Sequence, residues 1–281
     1  MIERGIQQVP HAAARGQKRN PTVPHLAWTK QIPAGEWAIY DRAISALRAT
    51  GRPFMLAGAF SLATYTGRWR NTKDIDFYVL PEDREPLIQA LTRAGFADYY
   101  ETLPYVRHWI FRAHQGDCIV DIIWAMANQR AQVDEQWFER AAQVSVHGEN
   151  LLVVPAEELL WCKLYVLQKD RCDWPDIFNL IHAVNDHMDW NHLVDRLGDD
   201  LPLLIGLLNV HCWLCPGADL KLPQQLRAVL PGCAQANGHV ENQCHIDWLD
   251  TRPWFQRAEA TRPGSPSDTE SQRNSAAQKE D

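Results

Sequence analysis

The stretch Leu56-Ala-Gly-Ala-Phe-Ser-Leu-Ala-Thr-Tyr-Thr-Gly-Arg-Trp-Arg-Asn-Thr-Lys-Asp-Ile-Asp-Phe-Tyr-Val-Leu80 decides the fold of this chain. It predicts, in order, the end of a buried strand, a glycine turn, a short helix, a polar loop and a second strand. Asp74 and Asp76 are two residues apart, so both carboxylates project from one face of that second strand. Two neighbouring carboxylates repel each other and resist desolvation, so positive charge is expected between them. A divalent cation is the simplest source of that charge.

The order of these features resembles the signature of the DNA polymerase β superfamily of nucleotidyltransferases, and in particular of its small, uncharacterised bacterial members. In that signature a strand and a Gly-Gly or Gly-Ser turn precede a strand with the pattern acid-x-acid. Gly58 matches the first turn position, and segment 70–76 resembles the Arg-x-Thr-x-Asp-Ile-Asp version of the motif. Ala59 departs from the pattern, because it lacks the hydroxyl that a serine would offer to phosphate at the second turn position.

The resemblance also implies a third acid on a later strand. Asp121 interrupts a run of strand-forming apolar residues at 118–124. An ionised aspartate in such a run is costly unless it is paired or coordinates a metal. Asp117 lies at the turn before the strand, where a solvated aspartate is ordinary. We therefore predict that Asp121 is the third acid.

The resemblance implies transfer of a nucleoside monophosphate from an NTP to a hydroxyl-bearing acceptor, which would be a small molecule, a protein or a tRNA, with release of pyrophosphate. Asp74, Asp76 and Asp121 would be the catalytic residues and the metal ligands. They would hold two Mg²⁺ ions, which Mn²⁺ could replace. Backbone amides of Gly58 and Ala59 at a helix start would receive phosphate, since such amides are unpaired and lie at the positive end of the helix dipole.

Three further residues are predicted to bind the nucleotide or its phosphates. Arg70 and Thr72 lie in the polar loop and belong to the motif that resembles the family. Lys163 is the cation in an otherwise apolar helix pattern at 155–167. In similar small nucleotidyltransferases a lysine at this position contacts the nucleotide phosphates. The alternative is that Lys163 extends to solvent or forms a structural ion pair.

Segment 169–177 approximately resembles an Arg-x-x-Asp-x-x-Asp-Ile element that follows the lysine helix in many members of the superfamily. Asp173 is expected to cap a helix that has proline at an early position, and Asp176 then falls in the first turn. A role of these acids in orienting Lys163 or binding the acceptor is the functional alternative.

The pattern of elements predicts an α+β fold with a small mixed β-sheet as the nucleotidyltransferase core, packed helices, and a C-terminal helical bundle. Between residues 99 and 124 we expect strands at 99–103, 106–112 and 118–124. The predicted segments are a flexible N-terminal segment at 1–33, the catalytic core at 34–154, a helical C-terminal domain at 155–231 and a mostly disordered tail at 232–281.

The composition is typical of a folded protein, with 46% hydrophobic and 22% charged residues. The net charge of −7 argues against a general nucleic-acid binder, but a basic cleft for tRNA or a protein partner is compatible with it. No apolar stretch has membrane-spanning length and the N-terminus lacks a signal-peptide pattern, so we expect a cytoplasmic protein without a membrane partner.

Two alternatives from other functional classes stay open at this point. The first is a catalytically silent module that binds nucleotide or a partner protein, and Ala59 is the residue that favours it. The second is a zinc-supported nucleic-acid binder that uses Cys/His residues late in the chain. Those residues are Cys212, Cys215, Cys233, His239, Cys244 and His245. The cysteines in apolar stretches are otherwise expected to be reduced and buried.

Overall fold

The computed structural model describes residues 26–230 and residue 245. Most of the predicted N-terminal segment at 1–33 and of the predicted tail at 232–281 lies outside the described residues. Within the described part of the chain, no helix has both the length and the apolarity that crossing a bilayer requires.

Seven strands form one mixed sheet in the spatial order β3-β4-β5-β2-β1-β7-β6. The β2–β5 and β1–β7 pairs are parallel and the other pairs are antiparallel. The strands are β1 (Met55–Leu56), β2 (Asp74–Tyr78), β3 (Ala97–Asp98), β4 (Ile110–Gln115), β5 (Cys118–Ile123), β6 (Ala142–Val146) and β7 (Glu149–Val153). The predicted α+β class with a mixed sheet is confirmed.

Helices pack on both faces of this sheet. Within residues 26–230 the α-helices are α1 (Ala34–Arg48), α2 (Gly58–Thr66), α3 (Arg84–Arg93), α4 (Glu135–Arg140), α5 (Ala156–Leu164), α6 (Trp174–Val184), α7 (Trp190–Leu197), α8 (Leu201–Leu214) and α9 (Gln224–Val229). Short 3-10 turns occur at Leu26–Gln31, Tyr99–Glu101 and Gly198–Asp200. Helix α1 shows why such segments are helical and pack on the sheet. Its buried residues recur at the helical period and form one apolar face: Tyr40, Ala43, Ile44 and Leu47.

The sheet separates two hydrophobic clusters, and this arrangement places the acids. Ile75 and Phe77 of β2 belong to the cluster that also contains buried side chains of α1 and α3. The other cluster contains buried side chains of α5 to α9. Because side chains alternate along a strand, Asp74 and Asp76 project from the face opposite Ile75 and Phe77. The paired acids therefore lie on the face that carries α5 and α6.

The segment between α3 and β5 differs from its predicted structure. The strand expected at 99–103 is wrong, because the chain forms the 3-10 turn at Tyr99–Glu101. The strand expected at 106–112 exists with other bounds, since β4 begins only at Ile110 and extends to Gln115. The Asp98 side chain accepts a hydrogen bond from the Tyr100 amide, at 2.9 Å, and caps that turn. Local capping thus outweighs the strand preference of an aromatic-rich segment.

Candidate active site

The three predicted acids converge on one place in the sheet. Strands β2 and β5 are parallel neighbours, and their register puts Asp76 directly opposite Asp121. One carboxylate oxygen from each of Asp74, Asp76 and Asp121 lies within 4.8 Å of the others. Within the described residues this is the only group of three or more such side chains that could hold a metal ion. Clustered carboxylate oxygens are the ligands that Mg²⁺ and Mn²⁺ take in proteins, so the donor set fits such an ion.

Gly58 makes the close approach of the turn to Asp76 possible. Its φ is +56°, in the left-handed region that favours glycine. A Cβ added to Gly58 would lie 1.7 Å from Oδ2 of Asp76. The amide of the preceding residue, Ala57, donates to the Asp76 carbonyl at 2.9 Å and ties the turn to β2. The glycine turn therefore cradles one of the acids, in addition to opening α2.

The electrostatics of the cluster favour a bound cation. Burial, and then repulsion from Asp121 and Asp74, raises the pKa of Asp76 well above its ordinary value. Burial also raises the pKa of Asp121, against the opposing effect of the Arg112 guanidinium. Without added positive charge, these carboxylates are therefore costly to ionise together. A divalent ion among their oxygens would remove that cost.

Arg112, which the sequence analysis did not identify, pairs with Asp121. The Arg112 Nε lies 2.9 Å from Oδ1 and 3.2 Å from Oδ2, and its Nη2 lies 2.6 Å from Oδ2. Arg112 on β4 is directly opposite Asp121 on the antiparallel neighbour β5. The turn at Gly116 and Asp117 could have revealed this pair, because counting outward from it along the two strands reaches residues 112 and 121 together.

Thr72 contacts an acid of the cluster. Its hydroxyl donates to Oδ1 of Asp74, and its oxygen accepts from the Asp74 amide at 3.5 Å. Thr72 was predicted to bind the nucleotide, and the structure places it where it orients a proposed metal ligand. Such a hydrogen bond fixes the rotamer of the carboxylate that it contacts.

A cleft of about 150 Å³ lies along α2. It contains two of the residues predicted to bind phosphate, Ala59 and Arg70, and the side chain of Arg70 is 65% exposed. The lining residues are Ala59, Leu62, Thr66, Arg68, Trp69, Arg70, Asp176 and Asn179. The polar loop, one side of α2 along its whole length and the N-terminal half of α6 thus form the walls of one cleft that contains cationic and aromatic side chains.

Lys163 is buried and bound by two acids. Its Nζ lies 2.9 Å from Oδ2 of Asp173 and 2.8 Å from Oδ2 of Asp176, and 7% of its side chain is exposed. Asp176 also lies 3.8 Å from Nη2 of Arg70, across the cleft. Lys163 therefore does not extend to solvent, and its ammonium is linked through Asp176 to the cleft wall.

The capping role predicted for Asp173 is wrong. Asp173 is the residue before α6, at the N-cap position, but its side chain makes no capping hydrogen bond. Its oxygens accept instead from Arg171, at 2.9 and 3.0 Å, and from Lys163. Hydrogen bonds to charged donors are stronger than those to backbone amides, which explains the preference.

Replacing Lys163 by methionine is expected to lower the free energy of unfolding by about 3–5 kcal/mol, because it leaves two acids without their buried partner. Chemical denaturation at neutral pH measures the loss. Lys73→Met is the matched control, since Lys73 and its partner Asp117 are both exposed, and we expect little change there. Equal effects of the two substitutions would contradict the structural role of Lys163.

The pH dependence of stability in wild type and Lys163→Met gives a second test. Burial raises the pKa of Asp173, but the hydrogen bond from Arg171 and the attraction of Lys163 outweigh it and leave that pKa below its ordinary value. The stabilisation is therefore present above the ordinary pKa and is lost as pH falls through the lowered one. The difference in unfolding free energy between wild type and Lys163→Met should shrink below about pH 4.

The zinc alternative gains no support from the described residues, in which the acidic cluster is the only metal-ligating group of three or more side chains. Cys233, His239 and Cys244 lie outside the described residues. Cys118 and Cys162 are buried free thiols, as expected. Cys212 is disulfide-bonded, so the expectation of a reduced cysteine is wrong at that position.

Comparison with protein families identifies a family of nucleotidyltransferases. The model of a family described as "Uncharacterised nucleotidyltransferase" matches residues 38–214. This range contains α2, all three acids, Arg112 and Lys163. A search of curated protein sequences found no match.

Comparison with solved structures gives likenesses to proteins of low sequence identity. The antibiotic-resistance factor ANT(2'')-Ia, solved in solution, is 17% identical with a TM-score of 0.45, over 64% of this chain and 98% of that chain. The lincosamide antibiotic adenylyltransferase LnuA, solved with lincomycin, is 16% identical with a TM-score of 0.38, over 53% of this chain and 96% of that chain. JHP933 from Helicobacter pylori is 15% identical with a TM-score of 0.36, over 73% of this chain and 91% of that chain.

Proposed function

This chain belongs to the family of uncharacterised nucleotidyltransferases, and from that premise we propose that it transfers a nucleoside monophosphate from an NTP to a hydroxyl-bearing acceptor in the cytoplasm. The observation that carries the proposal is the convergence of Asp74, Asp76 and Asp121 within 4.8 Å, beside a cleft that contains Ala59 and Arg70. Metal ligands and a neighbouring cleft with exposed positive charge are the two parts that this chemistry needs.

Asp74 and Asp76 are the proposed ligands of a first Mg²⁺, and Asp121 completes the site for a second. Mn²⁺ can replace Mg²⁺, because both ions accept clustered carboxylate oxygens. When bound, the metal neutralises charge on the triphosphate and lowers the pKa of the acceptor hydroxyl. Thr72 and Gly58 are positioning residues, since one bonds the Asp74 carboxylate and the other leaves space for that of Asp76.

The triphosphate is proposed to lie in the cleft at the start of α2. The amides of Gly58 and Ala59 supply hydrogen-bond donors there that have no acceptor within the helix. Arg70 adds an exposed guanidinium, and Lys163 contributes positive charge from behind Asp176. The missing hydroxyl at Ala59 is compensated by donors of the backbone and of the loop.

The reaction follows from these positions. The acceptor oxygen attacks the α-phosphorus in line, the bond from that phosphorus to the bridging oxygen breaks, and pyrophosphate leaves with both bonding electrons. The acceptor hydroxyl loses its proton, for which Asp121 is the proposed base. Arg70 and Lys163 stabilise the charge that develops on the leaving pyrophosphate.

Label transfer tests this proposal. The protein is incubated with Mg²⁺ and each NTP, labelled at the α- or the γ-phosphate, together with small-molecule, RNA and protein fractions of a bacterial extract. We expect acceptor labelling from the α-label, pyrophosphate from the γ-label, and neither with the Asp74→Ala, Asp76→Ala double variant. Transfer of the γ-label to an acceptor would contradict nucleotidyl transfer.

A second candidate is a catalytically silent module that binds nucleotide or a partner protein. The observation that favours it is Ala59 at the second position of the turn. The same experiment separates the two, since a silent module binds NTP but releases no pyrophosphate with any acceptor fraction.

Arg70→Ala is expected to weaken NTP binding by about tenfold or more, because it removes a charged hydrogen-bond donor from the cleft. Isothermal titration calorimetry with a non-hydrolysable NTP analogue and Mg²⁺ measures this effect. Arg93→Ala is the control, since Arg93 is an exposed arginine at the end of α3. Unchanged affinity in Arg70→Ala would place the triphosphate elsewhere.

A further inference from the structure

Arg112 and Asp121 form a charge pair at the edge of the acidic cluster. Two nitrogens of the guanidinium contact both oxygens of the carboxylate, at 2.6 to 3.2 Å. Asp121 is 1% exposed, so its charge is almost completely removed from water. The pairing follows from the strand register, which sets residues 112 and 121 directly opposite each other. It is therefore part of the fold rather than a chance contact of two long side chains.

The backbone of Arg112 is held firmly, while its side chain has room to move. The Arg112 amide donates to the Tyr105 hydroxyl at 2.8 Å, and that hydroxyl lies 3.3 Å from Oδ1 of Asp98. In contrast, a third of the Arg112 side chain is exposed. Its guanidinium carbon lies 5.9 Å from the centre of the Tyr99 ring, on which a displaced guanidinium can rest.

The guanidinium and a divalent ion compete for Asp121, because both are cations, repel each other at this distance and need lone pairs of the same two oxygens. The guanidinium already contacts both of them, whereas the carboxylates of Asp74 and Asp76 form no ion pair with an arginine among the described contacts. The place of the first Mg²⁺, at Asp74 and Asp76, is thus open to a metal ion. The place of the second, at Asp121, contains the guanidinium of Arg112.

We propose that the Arg112 guanidinium occupies the place of the second metal ion when no nucleotide is bound. The nucleotide-free protein then binds one divalent ion, at Asp74 and Asp76. Asp121 becomes a metal ligand only after the guanidinium has moved away. This inference rests on the proposed function for the metal itself. Arg112 is accordingly a positioning residue, which keeps the buried Asp121 charge neutralised until the second ion arrives.

Manganese binding to the nucleotide-free protein tests the proposal without any assay of activity. Electron paramagnetic resonance counts the free and bound Mn²⁺ in titrations of the wild type, Asp121→Asn, Arg112→Gln and the double variant. We expect one ion per wild-type chain and still one in Asp121→Asn, with a lower affinity there because the Arg112 charge is left unpaired beside the site. We expect Arg112→Gln to bind a second ion, and the double variant to lose it.

Thermal unfolding gives a second readout. Arg112→Gln leaves a buried carboxylate without its partner, so its melting temperature should fall without metal and recover when Mn²⁺ replaces the missing charge. Arg52→Gln is the matched control, because Arg52 pairs at 3.0 Å with the buried Asp83. Arg52→Gln should also have a lower melting temperature, but Mn²⁺ should raise that temperature no more than it does in the wild type.

The outcomes that overturn the proposal are distinct from those that overturn the function. Two Mn²⁺ ions per wild-type chain, one of them lost in Asp121→Asn, would overturn the role of Arg112 and leave the proposed function intact. Should Arg112→Gln fail to fold, the numbers of ions bound by the wild type and by Asp121→Asn decide, since a second ion in the wild type that Asp121→Asn loses contradicts the proposal. Absence of Mn²⁺ binding in both the wild type and Arg112→Gln would overturn the proposed function as well.

Discussion

Asp76→Asn is expected to lower the rate of nucleotidyl transfer by at least about a thousandfold, because it removes a ligand of the proposed metal and with it a large electrostatic contribution. The same substitution should raise the melting temperature of the metal-free protein. Burial and the charges of Asp121 and Asp74 raise the pKa of the Asp76 carboxyl well above its ordinary value. Loss of activity together with a gain in stability would identify a site that is built for a cation.

The direction of the stability effect follows from proton linkage. The folded protein binds the Asp76 proton more tightly than the unfolded chain does, so stability falls as pH rises through the unfolded-state pKa and the cost is complete above the folded-state pKa. Asparagine cannot ionise and removes that cost. Differential scanning calorimetry at neutral pH, with a chelator present, measures the change.

Asp117→Asn is the control for this prediction. Asp117 is the exposed acid at the turn before β5, and it pairs with the exposed Lys73 at 3.4 Å. We expect neither the activity nor the melting temperature to change appreciably. A lower melting temperature in Asp76→Asn would contradict the account, since lost activity would then follow from damage to the fold.

Gly58→Ala is the second substitution with a large expected effect. The new Cβ would lie 1.7 Å from Oδ2 of Asp76, at a φ of +56° that an alanine adopts only with strain. Either the turn or the Asp76 carboxylate must move by an ångström or more. A displacement of that size at reacting groups costs on the order of a hundredfold in rate.

Gly206→Ala separates this effect from the general cost of changing a glycine. Gly206 lies inside α8, and a Cβ there would meet no atom within 4 Å beyond the adjoining backbone of its own helix. Alanine should stabilise that helix by about 0.5–1 kcal/mol without a change in activity. Steady-state kinetics of both variants, with Mn²⁺ affinity as a second readout, measures the contrast. An active Gly58→Ala variant would mean that Asp76 is not held against the turn.

Much of the site was predictable because it depends on local rules. The spacing of Asp74 and Asp76 fixes their common face, and Asp121 is detectable as a charge inside a run of strand-forming residues. The glycine turn is detectable from its position between a strand and a helix. Two rules are enough to predict such features: side chains alternate along a strand, and a buried charge is costly unless it is paired.

The partners of these residues were not predictable in the same way. Lys163 contacts acids ten and thirteen residues later in the chain, and its choice of partners depends on how α5 and α6 pack. Arg112 meets Asp121 through the register of two strands, one of which had been predicted at 106–112, whereas β4 runs over Ile110–Gln115. The aromatic segment before β4 misled the strand prediction, because side-chain capping decided its conformation.

A metal-dependent nucleotide site is tested by the thermal stability of the protein with each of the four NTPs, with and without Mg²⁺, in wild type and in the Asp74→Ala, Asp76→Ala double variant. A ligand that binds only the folded state raises the melting temperature with its concentration. We expect a rise in melting temperature that requires an NTP, Mg²⁺ and both aspartates together. An equal rise in the double variant, or none with any nucleotide in the wild type, would contradict a metal-dependent nucleotide site at these aspartates.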